Sequence, residues 1–144
     1  MLQIKINNTI LKLDKGDLTA LDIETIVFYA QPDLKLGAGF GNAISVRGGP
    51  SIQEELKSLG SISVGEAVIT GAGELKSEFI IHAVGPRFQE PNTEEKLYKT
   101  MQSVLNIAEE KGIKRIALFI LICGMFVLYK IYKFQWYNDF TFHL

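Results

Sequence analysis

Hydrophobic and polar residues alternate at the start of the chain and then give way to continuous apolar runs. Leu2–Ile6 alternates strictly, as in a strand with one covered face, and residues 10–13 repeat the pattern after Asn7-Asn8. The two segments therefore predict a β-hairpin. Residues 26–30, in contrast, are apolar throughout, which is typical of a strand covered on both faces.

Farther along, strands alternate with helices. Three further segments are mostly apolar and have strand length: residues 66–70, 78–84 and 113–118. Helical spacing predicts helices after residue 40, after Ser51 and between Asn92 and Gly112. Ser51 with Glu54, and Asn92 with Glu95, have the spacing of N-terminal capping boxes. The alternation predicts an α/β fold with a mostly parallel or mixed sheet.

A glycine-rich stretch at residues 36–41 connects the apolar strand to the first helix. Gly37, Gly39 and Gly41 alternate with other residues in it. Glycine lets the backbone approach a ligand closely, and free N–H groups at a helix start attract anions. The stretch therefore predicts a phosphate cradle; on these residues alone, the alternative is a tight turn needed only for packing.

Composition narrows the classes of function. The chain has 144 residues, 47% of them apolar and 22% charged, as in one globular domain. A net charge of -1 gives no reason to expect nucleic-acid binding. The single cysteine, Cys123, and an N-terminus without a signal-peptide pattern predict a cytoplasmic protein. One cysteine and two distant histidines do not suffice for a zinc site, so we expect no metal.

Several of these segments together resemble the macro domain family. The matching blocks, in family order, are residues 16–19, 26–27, 36–40, 43–44, 65–70 and 81–86. The resemblance covers about residues 2–118. It implies a three-layer α/β/α sandwich with a mixed sheet that binds ADP-ribose, free or attached to proteins, and needs no cofactor. Some members also hydrolyse ADP-ribose esters or related phosphates and acetyl esters.

The resemblance also assigns roles to individual residues. Asp17 would accept a hydrogen bond from the adenine amino group, beside the N–H of Leu18; otherwise Asp17 closes a turn or caps the next helix. The residues that would wrap the diphosphate and the distal ribose are Gly37, Ala38, Gly39 and Phe40. Phe40 either stacks near the ribose or packs in the core.

Two positions bear on catalysis. Gln31 matches the family asparagine that orients the distal ribose, and it is longer by one methylene group. Asp33 is a candidate replacement acid or base; its alternative is an ordinary solvated carboxylate. His82 lies inside an apolar strand, which favours a core histidine over a catalytic base. We therefore expect a binding module, with a hydrolase of the same fold as the alternative.

The chain changes character near Phe119. Residues 119–144 hold nine of the fifteen aromatic residues but only three charged ones, and only Gly124 is available for the family's second glycine loop. We interpret residues 1–118 as an incomplete macro-like domain and residues 119–144 as a divergent tail, from a frameshift near Phe119. Loss of the last helix and strands would then expose a sheet edge.

The same tail leaves a further alternative, a non-functional or membrane-associated truncated product. Residues 116–129 form an uninterrupted apolar stretch of 14 residues. A helix needs roughly 17–25 residues to cross a bilayer, so the stretch is short for a membrane span.

Overall fold

The computed structural model describes residues 2–87, 89–118 and 141–143, and it begins with the predicted hairpin. Strand β1 (Leu2–Ile6) pairs antiparallel with β2 (Thr9–Leu13). Asn7 has a φ of 54° in the turn, which asparagine tolerates better than most residues. The turn sets the register in which Leu2 lies opposite Leu13.

The hairpin extends into a mixed sheet. The other strands are β3 (Thr25–Tyr29), β4 (Ala67–Gly71), β5 (Phe79–Ala83), β6 (Arg115–Leu118) and β7 (Thr141–His143). Within the described ranges the order is β1-β2-β7-β6-β3-β5-β4. β3 pairs in parallel with β5 and β6, whereas β4 pairs antiparallel with β5. The carboxyl ends of β3, β5 and β6 therefore lie at one edge, where α/β folds bind ligands.

Helices cover both faces of the sheet. The α-helices of the described residues are α1 (Phe40–Gly48), α2 (Ser51–Leu59) and α3 (Thr93–Glu110). Helices α1 and α2 share one core, which contains Ile26, Ile44, Ile52, Leu56, Ile80 and Ala117. Helix α3 belongs to a second core, which contains Val27, Ile81, Val104, Leu105, Ile116 and Leu118. Successive strand residues point to opposite faces, so the two cores lie on opposite sides of the sheet. The predicted α/β/α sandwich is confirmed.

Both predictions of a capping box were wrong. Ser51 is itself helical, because Pro50 precedes it in an α conformation and the Pro50 carbonyl accepts the Glu54 N–H. Asn92 does hold the N-cap position of α3, but its left-handed backbone makes no side-chain cap. The spacing was present at both helices; the backbone geometry that a capping box needs was not.

The tail supplies a strand where we expected a loss. β7 pairs in parallel with β2 on one side and with β6 on the other, so the predicted exposed edge is absent beside β6. Strand pairing uses backbone groups, which even a sequence of unusual composition provides. Phe119, near which we place the frameshift, and Gly124, the residue available for a second glycine loop, lie outside the described residues.

The apolar stretch at residues 116–129 is described only in its first three residues. Residues 116–118 belong to β6 and are buried in the sheet. Among the helices of the described residues, none is both long and apolar enough to cross a membrane. The rest of the stretch lies outside the described residues.

Candidate functional site

The chain turns sharply after β3 and there presents Gln31 at the surface. The Ala30 N–H still donates to the Ala83 carbonyl at 2.8 Å, as if the strand continued. The Leu34 N–H then donates to the Gln31 carbonyl at 2.9 Å, and the Leu34 side chain is only 1% exposed. Leu34 anchors the turn in the core, which leaves Gln31 exposed at the carboxyl edge of the sheet.

Asp33 lies in the same turn and has local partners. Its Oδ1 accepts the Lys35 N–H at 3.1 Å, and its Oδ2 lies 3.7 Å from Lys35 Nζ. Aspartate commonly stabilises a turn in this way. Asp33 is exposed, as a solvated loop carboxylate is, and its predicted catalytic role stays a prediction, as does that of Gln31.

The glycine loop (Gly37–Gly39) follows, with its preceding residue held in place. The Leu36 N–H donates to Gln53 Oε1 of α2 at 2.9 Å. Gly39 has φ 67° and ψ -132°, a conformation that side chains strongly disfavour. A Cβ atom added at Gly37 or Gly39 would meet no atom of the described residues within 4 Å. With respect to these residues, the loop is therefore tethered on one side and open on the other.

Helix α1 begins directly after Gly39 and gives the open side a favourable electrostatic field. No described side chain caps this end of α1. Backbone N–H groups at a helix start point outward and carry partial positive charge. An anion on the open side of the glycine loop would lie in this field, as the predicted phosphate cradle requires.

Aromatic rings pack between the end of the glycine loop and the sheet. Phe40 packs against Phe28 of β3, with ring centroids 5.8 Å apart, and Phe28 meets His82 of β5 edge-on at 6.0 Å. Phe40 is half-buried. It therefore packs on the core, one of its two predicted roles, and contact with a ribose stays a prediction.

His82 is a core histidine, as its apolar strand predicted. It is 0% exposed, and its Nε2 lies 2.9 Å from the Thr70 hydroxyl. Nδ1 has no hydrogen-bond partner among the described residues. Burial lowers the pKa of His82 to about 4, because the imidazolium form would lose its hydration. A neutral, buried ring without solvent access is a poor candidate for a general base.

Asp17 stands at the centre of a polar network. It caps a short 3-10 helix (Leu18–Ala20), and its Oδ1 accepts both the Thr19 N–H at 3.0 Å and the Thr19 hydroxyl at 2.7 Å. Its Oδ2 is paired with Arg47 Nη1, which also donates to the Thr19 hydroxyl oxygen at 2.6 Å. Asp17 thus does cap a turn, which was its alternative role, while one oxygen is only partly used.

Hydrogen bonding favours the charged form of this carboxylate. The Thr19 hydroxyl contributes most to holding the pKa of Asp17 below its ordinary value. The Thr19 N–H and Arg47 act in the same direction, and desolvation opposes them. Asp17 is therefore an acceptor at neutral pH, and its side chain is 46% exposed.

Helix α1 connects the two parts of the site. The glycine loop adjoins its first residue, Phe40, and Arg47 lies in its last turn, bound to Asp17. The rise of a helix places these residues about 10 Å apart along the axis. The glycine loop, which favours anions, and the ionised acceptor Asp17 therefore lie at the two ends of helix α1. Leu18, buried in the 3-10 helix, belongs to the second end.

Sequence reasoning missed the partners of these residues. Arg47 lies in the helix predicted after residue 40, and its pairing with Asp17 across 30 positions has no local signal in the sequence. Tyr29 lies in the apolar strand predicted over residues 26–30. Its hydroxyl donates to the Pro86 carbonyl at 2.5 Å, and a Cβ at Gly85 would lie 2.1 Å from that hydroxyl. Only Gly-Pro after an apolar strand hinted at such a close approach.

No cluster of metal-ligating side chains occurs in the part of the chain that the structure describes. The polar groups of the site are a carboxylate, a guanidinium, a hydroxyl and backbone N–H groups. Such groups bind by hydrogen bonding and charge, and they suit an anionic ligand with a hydrogen-bond donor at its far end.

Comparison with known proteins agrees with this architecture. The family model described as Macro domain matches residues 29–131, beyond Leu118, where we ended the resemblance. O-acetyl-ADP-ribose deacetylase 1 of Pantoea vagans is 38% identical over 109 residues, which cover 72% of this chain and 64% of that protein. The chain spans less than two thirds of the length of the curated relatives that it matches.

Solved structures are similar over nearly the whole chain. The Oceanobacillus iheyensis macrodomain with ADP has a TM-score of 0.89 and 25% identity, covering 99% of this chain and 85% of that one. A variant of that macrodomain with ADPR has a TM-score of 0.88 at 25% identity, with 99% and 87% coverage. Together with a family match over more than two thirds of its residues, this shows that the chain belongs to the macro domain family.

Proposed function

We propose that this protein binds ADP-ribose, free or attached to a protein. One observation carries the proposal: the open glycine loop and the ionised Asp17 lie at opposite ends of α1. ADP-ribose has a matching order of groups, because its diphosphate is negative and its adenine carries an amino donor. A single rigid helix keeps the two recognition points at a fixed spacing.

The glycine loop is the proposed diphosphate site. Gly37, Ala38 and Gly39 are exposed, and none of the described residues fills the space before the two glycines. Backbone donors lose little entropy on binding because the tether to Gln53 and the α1 start already fix them. Phe40, at the end of the loop, is proposed to line the distal ribose.

Asp17 is the proposed adenine acceptor. An ionised carboxylate accepts hydrogen bonds and donates none, so it favours an amino group and disfavours a carbonyl oxygen. The N–H of Leu18, at the start of the same 3-10 helix, is proposed to bind the adjacent ring nitrogen. The macrodomain structures with ADP and ADPR support a nucleotide of this class.

Titration calorimetry with three ligands tests the proposal. ADP-ribose should bind most tightly, and AMP more weakly because it lacks the second phosphate and the distal ribose. IDP-ribose, with a carbonyl in place of the amino group, should bind about ten-fold more weakly, as expected for the loss of a charge-assisted hydrogen bond. Neither heat nor a shift in Tm with ADP-ribose would contradict the proposal.

A hydrolase of the same fold is the second candidate, and the name of the Pantoea relative favours it. Gln31 and Asp33, exposed at the carboxyl edge near the glycine loop, are its proposed catalytic residues. Release of acetate from O-acetyl-ADP-ribose, and of ADP-ribose from a modified protein, measures the activity. Gln31→Ala and Asp33→Ala should reduce it, whereas Asp22→Ala, an exposed aspartate outside the turn, should not.

We further propose that the partners are ADP-ribosylated proteins and that binding takes place in the cytoplasm. The single cysteine fits a reducing compartment. Pull-down from a cell extract, with and without competing ADP-ribose, tests the first point, and cell fractionation tests the second. Proteins that elute with ADP-ribose and carry the modification are the expected result.

A further inference from the structure

We propose that Arg47 is the positioning residue for base recognition, fixing the Asp17 carboxylate so that one lone pair of Oδ2 is left for an amino group. This inference rests on the proposed function. It deepens that function by naming what makes the site selective for adenine over hypoxanthine.

The hydrogen bonds that Asp17 makes with the described residues leave room for one more donor. A carboxylate has about four acceptor positions. The Thr19 N–H and hydroxyl occupy two on Oδ1, and Arg47 Nη1 occupies one on Oδ2. The remaining position is on Oδ2, on a side chain that is 46% exposed. One acceptor position of Asp17 Oδ2 is therefore available to an amino group of a ligand.

Arg47 is well placed to fix the direction of that acceptor. Its Nη1 bridges Asp17 Oδ2 and the Thr19 hydroxyl oxygen, and Thr19 is only 5% exposed. The buried Thr19 therefore holds Oδ1 of the carboxylate, and Arg47 of α1 holds Oδ2. Without Arg47, Oδ2 would keep only the orientation that Thr19 imposes through Oδ1.

The guanidinium also favours the charged form of Asp17, although it is not the main cause. The Thr19 hydroxyl lowers the Asp17 pKa most, and the hydrogen bond and the charge of Arg47 act in the same direction. Asp17 is a carboxylate at neutral pH with or without Arg47, and a carboxylate accepts hydrogen bonds but donates none. Arg47 therefore contributes to selectivity through the orientation of Oδ2.

A purely structural role would have different consequences. The Asp17–Arg47 pair is about half exposed, and such pairs contribute little to folding stability. A structural role would change the affinity for every nucleotide by the same factor. A positioning role changes the affinity for adenine nucleotides and leaves hypoxanthine nucleotides nearly unchanged.

Calorimetry with ADP-ribose and IDP-ribose separates the two roles. Arg47→Met should lower the ratio of the two affinities about ten-fold, mainly through weaker ADP-ribose binding. Arg47→Lys keeps the charge and should restore part of the ratio. Lys57→Met is the matched control, because Lys57 is the basic residue in the last turn of α2.

Two outcomes would overturn the inference: an unchanged ratio of the two affinities in Arg47→Met, with or without equal weakening of both ligands, or the same change of ratio in Lys57→Met. If the wild type binds neither nucleotide, the proposed function fails on its own. A 13C titration of the Asp17 carboxyl group in the ligand-free protein then tests the Asp17–Arg47 contact on which the positioning claim rests. Arg47→Met should raise the Asp17 pKa, and an unchanged value would mean that the contact is absent in solution, which overturns the claim.

Discussion

The two ends of α1 recognise their proposed ligand groups by different means. At its start, Gly37–Gly39 offers backbone N–H groups, an open surface and almost no side chain. At its end, Asp17, Thr19 and Arg47 form a network of side chains. We call these the phosphate end and the base end. Both ends contact the same helix, so they differ in the groups that they offer to a ligand and not in the element that positions them.

This difference teaches what each end depends on. The phosphate end requires a backbone shape, and Gly39 supplies it with φ 67°. The base end requires particular functional groups, because its contacts are made by the side chains of Asp17, Thr19 and Arg47. We therefore expect substitutions to damage the phosphate end through conformation and the base end through selectivity.

The largest expected effect is at Gly39. Gly39→Ala forces a side chain into a conformation that costs roughly 1–3 kcal/mol. The loop would leave its binding shape to relieve the strain, and ADP-ribose affinity should fall about 100-fold by calorimetry.

Gly60 provides a matched control for this substitution. It ends α2 with φ 79° and ψ -136°, nearly the conformation of Gly39, and the space around it is also open. Gly60→Ala should lower the free energy of unfolding by a similar amount and leave affinity unchanged. Equal losses of affinity in both variants would mean that stability, not loop shape, governs binding.

Acid should destabilise the fold through the buried His82. Phe28 packs against both His82 and Phe40, so this histidine lies near the phosphate end. The pKa of His82 is about 4 in the folded protein and ordinarily 6.5, so the unfolded chain binds the proton more readily. Stability is therefore complete above about pH 6.5 and falls as the pH drops toward 4. Between pH 7 and pH 5 the free energy of unfolding should decrease by about 2 kcal/mol.

Urea unfolding at the two pH values measures this loss. The double variant His82→Leu, Thr70→Val removes both partners of the buried hydrogen bond and should lose the pH dependence in this range. NMR titration of the His82 ring in the wild type gives an independent readout that needs no variant. A pKa near 6.5 for this ring would contradict the prediction.

At the base end, Asp17→Asn should change selectivity by about ten-fold. The amide offers a donor as well as an acceptor, so hypoxanthine becomes acceptable and adenine loses its preference. Competition between ADP-ribose and IDP-ribose measures the ratio. Asn still caps helices well, so the 3-10 helix should remain, and far-UV circular dichroism checks that it does. An unchanged ratio would remove Asp17 from base recognition.

The smallest effect is the contribution of Arg47 to stability. Arg47→Met should change the free energy of unfolding by less than about 1 kcal/mol, because a half-exposed ion pair is screened by water. Chemical denaturation measures it. A loss well above that value would show that the base end is a structural element, and the contrast between the two ends would disappear.

The sequence alone predicted most of the fold because its signals are local. Alternation in Leu2–Ile6 predicted the hairpin, and apolar runs of strand length predicted β3 and β5 within one residue. The family blocks predicted the three-layer sandwich, which the structure confirms. The capping boxes failed because a spacing of residues does not fix the backbone conformation at Asn92.

Tertiary structure decided the contacts between residues that are distant in the sequence, which local signals do not specify. The bond from Arg47 to Asp17 joins residues 30 positions apart, and the place of Thr141–His143 between β2 and β6 depends on strands distant in sequence. The sequence determined an α/β macro domain with a glycine loop and an acidic residue upstream, because spacing and composition are local properties. Only folding brought Arg47 to Asp17 at the opposite end of α1 from the loop, because contact across a chain follows from packing.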